Sequence, residues 1–169
     1  MHQYNQGFTL VELLVSLFIL SIALAGAFAV ISFNVNNANF VKNSFIASGL
    51  AQEGVELVRN LRDTDWHTGA EFGSFGGSDS LADGAYRVQW DSSELDSSGV
   101  SEPLALDAAG VYAYDSGTPT IFRREVELRR VVPASGPVVE IVATVTVSWN
   151  ERSGEKTVIA EEHLFNWLE

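Results

Sequence analysis

Few residues in this chain have the type and spacing to do chemistry, and the clearest candidate is Glu12. It is the only charge in a long apolar stretch, and Leu13 to Phe33 adds 21 residues with neither charge nor proline. About 20 apolar residues span a bilayer core as a helix. A carboxylate inside such a run costs a few kcal/mol at the membrane centre and less toward the interface. Glu12 therefore needs a positive partner, or else it sits at headgroup level as part of a plain anchor. The other titratable groups form no comparable constellation. His2, His67 and His163 fall ahead of the apolar run, in a loop and in a strand, without metal-ligand spacing or a nucleophile elbow. Ser, His and Asp are scattered, and the sequence argues against an enzyme. Asp79, Asp83, Asp91, Glu94 and Asp96 offer oxygen ligands of the kind calcium takes, but not at EF-hand spacing. Solvated loops are commonly acidic, so no cofactor is expected. Arg123, Arg124, Arg129 and Arg130 hold four of the ten basic residues. On a strand, Arg123 and Arg129 share one face and Arg124 and Arg130 the other, so they make no single patch. Cross-strand pairing with Glu140 and Glu161 is their expected use. A formal charge of −12 argues against nucleic acid as a partner.

The elements that must position these residues follow from periodicity. The 169 residues suffice for an anchor plus one ordinary domain, and with no cysteine the domain must be held by its own core. Residues 8–33 read as an apolar helix, with Ala23, Ala25, Gly26, Ala27 and Ala29 permitting close helix contacts. Residues 34–65 read as its amphipathic continuation. Ile46, Ala47, Leu50, Ala51, Gly54, Leu57, Val58 and Leu61 recur at three and four, with Gln52, Glu53, Glu56, Arg59 and Asn60 opposite. Asn34, Asn36, Asn37 and Asn39 are poor helix formers that could loosen the join. A helix unbroken from Phe8 to Asp63 would be about 84 Å long.

Residues 66–169 read as a β-rich head. A Gly- and Ser-rich connector over 64–83 carries Trp66, Phe72 and Phe75, which suggest that it is pinned to the head. Tyr86, Val88 and Trp90 alternate as a strand. Leu104 to Asp115 is weakly hairpin-like around Ala109-Gly110. Ile121–Val132, Val138–Trp149 and Lys156–Trp167 alternate more cleanly, with turns at Ser135-Gly136-Pro137 and Asn150–Glu155. The expected fold is α+β: a long N-terminal helix packed on an antiparallel meander of about four to six strands with one wet face.

The stretch Gly7-Phe8-Thr9-Leu10-Val11-Glu12-Leu13-Leu14, ahead of an uninterrupted apolar run, resembles the processing signature of type IV prepilins and the pseudopilins of type II secretion. The resemblance implies that residues 1–7 are a leader cut between Gly7 and Phe8 by a prepilin peptidase, which then methylates the new N-terminus at Phe8. A secretory signal would place its cut after the apolar run, not before it. A second likeness, to minor pilins of the PilV type, covers Ala51–Glu56 with Arg59–Trp66 and the last strands from Phe122. The family implies a pilin-like fold, a structural role in a pilus or related filament, and single-pass insertion in the inner membrane. The head would lie outside the cytoplasm, on the pilus or cell surface after assembly. Partners would be other pilin subunits through the N-terminal helix, the peptidase and the membrane assembly platform, and Glu12 would act in assembly. A secretion pseudopilin is the alternative within the family. Outside it, the alternative is a membrane-anchored surface domain that binds a ligand and does not polymerise. The chain departs from common pilin features in its leader, which lacks Lys and Arg, in the absence of a helix proline, and in lacking a C-terminal disulfide.

Overall fold

A computed structural model describes residues 8–77, 81–135 and 137–166. One helix, α1, runs Leu10–Thr68. Seven strands follow: β1 (Gly84–Tyr86), β2 (Ala105–Leu106), β3 (Tyr112–Ala113), β4 (Thr118–Pro119), β5 (Phe122–Val131), β6 (Glu140–Glu151) and β7 (Gly154–Phe165). The chain divides into two compact units, Met1–Lys42 and Asn43–Glu169.

Both ends of α1 are capped. The Thr9 hydroxyl accepts the Glu12 backbone N–H at 3.2 Å, satisfying one of the donors a helix start leaves open. At the other end Gly69 turns with φ 73°. There the Ala70 N–H bonds the Asp65 carbonyl at 2.8 Å and the Gly69 N–H bonds that of Trp66 at 3.3 Å. These two bonds and the left-handed glycine make a Schellman ending. The helix thus continues past residue 65, where its exit was expected. The asparagines at 34–39 do not interrupt it; four weak helix formers cost little each against the cooperativity of a long helix.

In the second unit, residues 43–68 of α1 lie on a four-stranded antiparallel sheet ordered β1-β5-β6-β7. The expected stripe is the buried one: Ala47, Leu50, Ala51, Val58 and Leu61 join a core with Val126, Leu128, Ile141, Val145, Val147 and Trp149. β5, β6 and β7 form the expected meander, with β6 and β7 in unbroken register from Glu140↔Phe165 to Glu151↔Gly154. The hairpin around Ala109-Gly110 is present as β2 and β3, and β4 joins β2 to complete a separate three-stranded sheet.

Three expectations shift in detail. The strand read over Tyr86–Trp90 stops at Tyr86. Arg87 makes only an isolated bridge to Asp96, and Trp90 is 58% exposed. The Ser92 hydroxyl accepts the Gln89 N–H at 3.0 Å, so that local turn takes the backbone group a longer strand would have used. Val139 lies outside β6 and is exposed. On the outward side of the sheet Val142 is buried, between Arg129 and His163 in register. The predicted ends at Gly136 and Trp167 lie outside the described residues. The connector is pinned as expected: Phe72 and Phe75 are buried, and the Gly76 N–H bonds Asp65 Oδ1 at 2.9 Å.

Candidate assembly helix

Phe8 stands just ahead of α1 and is 77% exposed. Thr9 is the N-cap, which puts Glu12 at the third helical position, in the first turn. Thr9-Leu10-Val11-Glu12 is thus a capping-box sequence, a signal for the helix start available from residue order alone. Gly7 lies outside the described residues.

The polar groups around Glu12 are answered locally. The Ser16 hydroxyl donates to the Glu12 carbonyl and that of Ser21 to the Phe18 carbonyl, each at 2.7 Å. Such back-bonding lets a hydroxyl sit in an apolar medium without an outside partner. The Glu12 carboxylate differs, because no described residue pairs with it. Around it every large apolar side chain from Phe8 to Phe33 is at least half exposed. α1 is long and apolar enough to cross a membrane, and the qualifying window has no burial within the chain. A helix apolar all round and bare of protein contacts must find lipid or other helices. Gly26 has open space where a Cβ would point, so its surface is free for close approach.

Residues 2–28 match the prokaryotic N-terminal methylation motif. No curated protein and no solved structure matches the chain. The matched stretch takes in Phe8, Glu12 and most of the apolar residues that follow, so residues 2–28 carry a type IV prepilin-like signal. The architecture as a whole, one long helix that begins within the motif and antiparallel sheets after it, is α+β and pilin-like.

The head's polar residues serve packing and loop order, and their placement corrects one expectation. Arg124 does not pair across strands with Glu140 or Glu161. Its side chain is 0% exposed, inside the core between α1 and β5. Nη1 donates to the Leu50 carbonyl at 3.3 Å, Nη2 to the Val88 carbonyl at 2.6 Å, and Glu53 Oε2 lies 3.3 Å from Nη1. Inward alternation on β5 put Arg124 there, and Gly54 makes the room, since a Cβ at Gly54 would lie 3.1 Å from Arg124 Cδ. Arg130 instead bonds Asp83 through both its N–H and Nε, at 3.0 and 2.9 Å, which holds the Asp83 carboxyl below its ordinary range. Arg123 Nε donates to the Ser101 carbonyl at 3.1 Å. Glu140 and Glu161 flank His163 on the outer face and raise its pKa, Glu140 by the stronger hydrogen bond.

The loop acids do not converge. Asp83 is held by Arg130. Asp96 accepts from Arg87 Nε at 2.9 Å and from Ser98, and Asp91 accepts from Gln89. Asp79 lies outside the described residues. Among the described residues no group of three or more His, Asp or Glu side chains is arranged to hold a metal ion. Over residues 84–118 the organising pair is Arg87 and Tyr114. The guanidinium lies 5.1 Å from the ring centroid and reaches Asp96 and Glu102, and the Tyr114 hydroxyl donates to the Arg124 carbonyl at 2.9 Å. Alternation could place neither contact, because each joins residues from separate segments of the chain.

Proposed function

We propose that this chain is a minor pilin-like structural subunit, closest in kind to the PilV type. It is cut by a prepilin peptidase after Gly7, methylated on Phe8, and assembled into a type IV pilus or related filament. One observation carries the reading. The methylation motif coincides with the apolar first half of α1, which no described part of the chain covers, and the single charge there, Glu12, has no partner among the described residues. Cleavage supplies what is missing, because it creates an amine at Phe8. In a bundle of such helices the amine of one subunit lies within reach of Glu12 in a neighbour. Away from water, two such charges are tolerated only as a hydrogen-bonded pair, and the pair fixes axial register more than it adds stability. Before assembly the helix holds the subunit in the inner membrane, with the head outside the cytoplasm. The partners are other pilin subunits, the peptidase and the membrane assembly platform.

Mass spectrometry of the native protein tests this. A mature N-terminus at methylated Phe8 is expected, whereas an intact Met1 or a cut beyond the apolar run overturns the reading. Gly7→Leu should accumulate uncut precursor, because the peptidase subsite has room for little beyond a hydrogen. Normal processing of that variant would refute the cleavage assignment.

A further inference from the structure

β7 is the edge of the four-stranded sheet along all 12 of its residues. It has no proline, and its register with β6 is unbroken by a bulge. Among the described residues, no backbone hydrogen bond from an element other than β6 reaches Gly154–Leu164. A long straight edge of this kind is a template for another strand. Natural sheets blunt such edges with a bulge, a proline, a cover or charged side chains; among the described residues β7 has only the last, in Glu155, Lys156, Glu161, Glu162 and His163, so a partner strand must match those charges. Ile159, near its middle, is 63% exposed.

The order of charges along β7 selects the occupant. We propose that the β7 edge pairs antiparallel with β7 of a second copy of this chain, about a two-fold axis through Ile159. In that register Lys156 stands opposite Glu162 of the second copy, Glu155 opposite its His163, and Ile159 opposite its Ile159. Symmetry repeats each charged pair, as an isologous contact requires. Opposite charges facing each other across strands are favourable, and like charges are not. Neighbouring registers fail this test. A slip of one residue either sets Glu155 against Glu162, cancelling the Lys156–Glu161 pair it also makes, or sets Lys156 against His163. A slip of two sets Glu155 against Glu161 or leaves no opposite charges opposed. One-residue slips also turn the second copy's helix-bearing face to the other side of the sheet. Within the chain, Glu155 and Lys156 make no ion pair with a described residue, whereas Glu162 is bonded by Arg59 and His163 lies between Glu140 and Glu161, so each contact across the axis adds an unpaired charge to a group already paired at home. The formal charge of −12 opposes long-range approach and is screened beyond about 8 Å at physiological salt. The paired sheets would run continuously from one copy's β1 to the other's.

The axis is perpendicular to the sheet, so it reverses the direction of the helical segment 43–68 packed on it. The two heads therefore face opposite ways. If the chain is a filament subunit, as proposed above, this contact joins two filaments rather than neighbours within one.

The chain has no cysteine, which makes cross-linking direct. Full-length Ile159→Cys in detergent, at about 0.15 M salt, is treated with a short bis-maleimide. A covalent dimer is expected. Thr157→Cys alone should cross-link poorly, because its copies lie on opposite sides of the axis. Mixing Thr157→Cys with Glu161→Cys should restore the dimer. Adding Lys156→Glu to Ile159→Cys turns two attractive pairs into repulsive ones and should cut dimer yield roughly tenfold. Absence of an Ile159→Cys dimer overturns the proposal, as does cross-linking of Thr157→Cys as strong as that of Ile159→Cys. Neither outcome touches the processing of the N-terminus, which mass spectrometry reads separately.

Discussion

Arg124 and His163 show how the same sheet treats charge on its two faces. Arg124 is fully buried and holds two carbonyls and Glu53, so truncation leaves polar groups unpaired as well as a hole. Breaking a buried charge contact of this kind costs about 3–5 kcal/mol. Arg124→Ala should lower the denaturation midpoint by a corresponding amount, and a loss within experimental scatter would show that the guanidinium is not anchoring α1. His163 is exposed, and its contribution is one of pH. Glu140 and then Glu161 raise its pKa above 6.5. A raised histidine adds stability that is complete below its unfolded value and is lost as pH rises through the folded value. An NMR titration should find His163 protonated above the ordinary range, and Glu140→Gln should bring it down. Insensitivity to Glu140→Gln would assign the shift elsewhere. Glu12 differs from both: it is exposed, no described residue pairs with its carboxylate, and in the proposed filament its partner is the amine of another subunit.

At the scale of elements, the closest fit is where α1 crosses β6. A Cβ on Gly54 would sit 2.7 Å from Val145 Cγ1. Valine is stiff about χ1 and is paired on both sides within the sheet, so it has little room to yield. Overpacking of this sort costs about 1–3 kcal/mol, against about 1 kcal/mol gained from removing a helical glycine. Gly54→Ala should therefore destabilise the head on balance in chemical denaturation, whereas Gly26→Ala, with open space around it, should not. The end of α1 is a second such place. Asp65 is buried, and through its carbonyl and Oδ1 it ties Ala70 and Gly76 to the helix terminus. Gly76 was visible in the sequence as part of a loop signal. The joint attachment of Ala70 and Gly76 to one aspartate was not, because it depends on where the connector folds back.

At the scale of the molecule, the proposed role predicts separable failures. Glu12→Ala should leave leader removal largely intact and impair incorporation into filaments, read by comparing processed protein in membranes with protein in sheared filaments. Normal incorporation would remove Glu12 from assembly. Arg124→Ala and Gly54→Ala should behave differently, lowering the amount of head-folded subunit while leaving the cut at Gly7 unaffected.

Chain order alone determined the N-terminal helix, its cap at Thr9, its stripe from Ala47 to Leu61 and the three long strands. All of these rest on periodicity or on neighbours within four residues, which local sterics and hydrogen bonding dictate. The N-terminal methylation motif over residues 2–28 was legible for a related reason: it is a short linear stretch. Only the tertiary structure decided that Arg124 turns into the core while Arg130 finds Asp83, and that Arg87 lies on Tyr114. It alone also set β1 beside β5 rather than in the meander and left β7 at the edge. Each of those outcomes joins residues far apart in the chain, and alternation assigns a side chain to a face without saying what the other elements bring to that face.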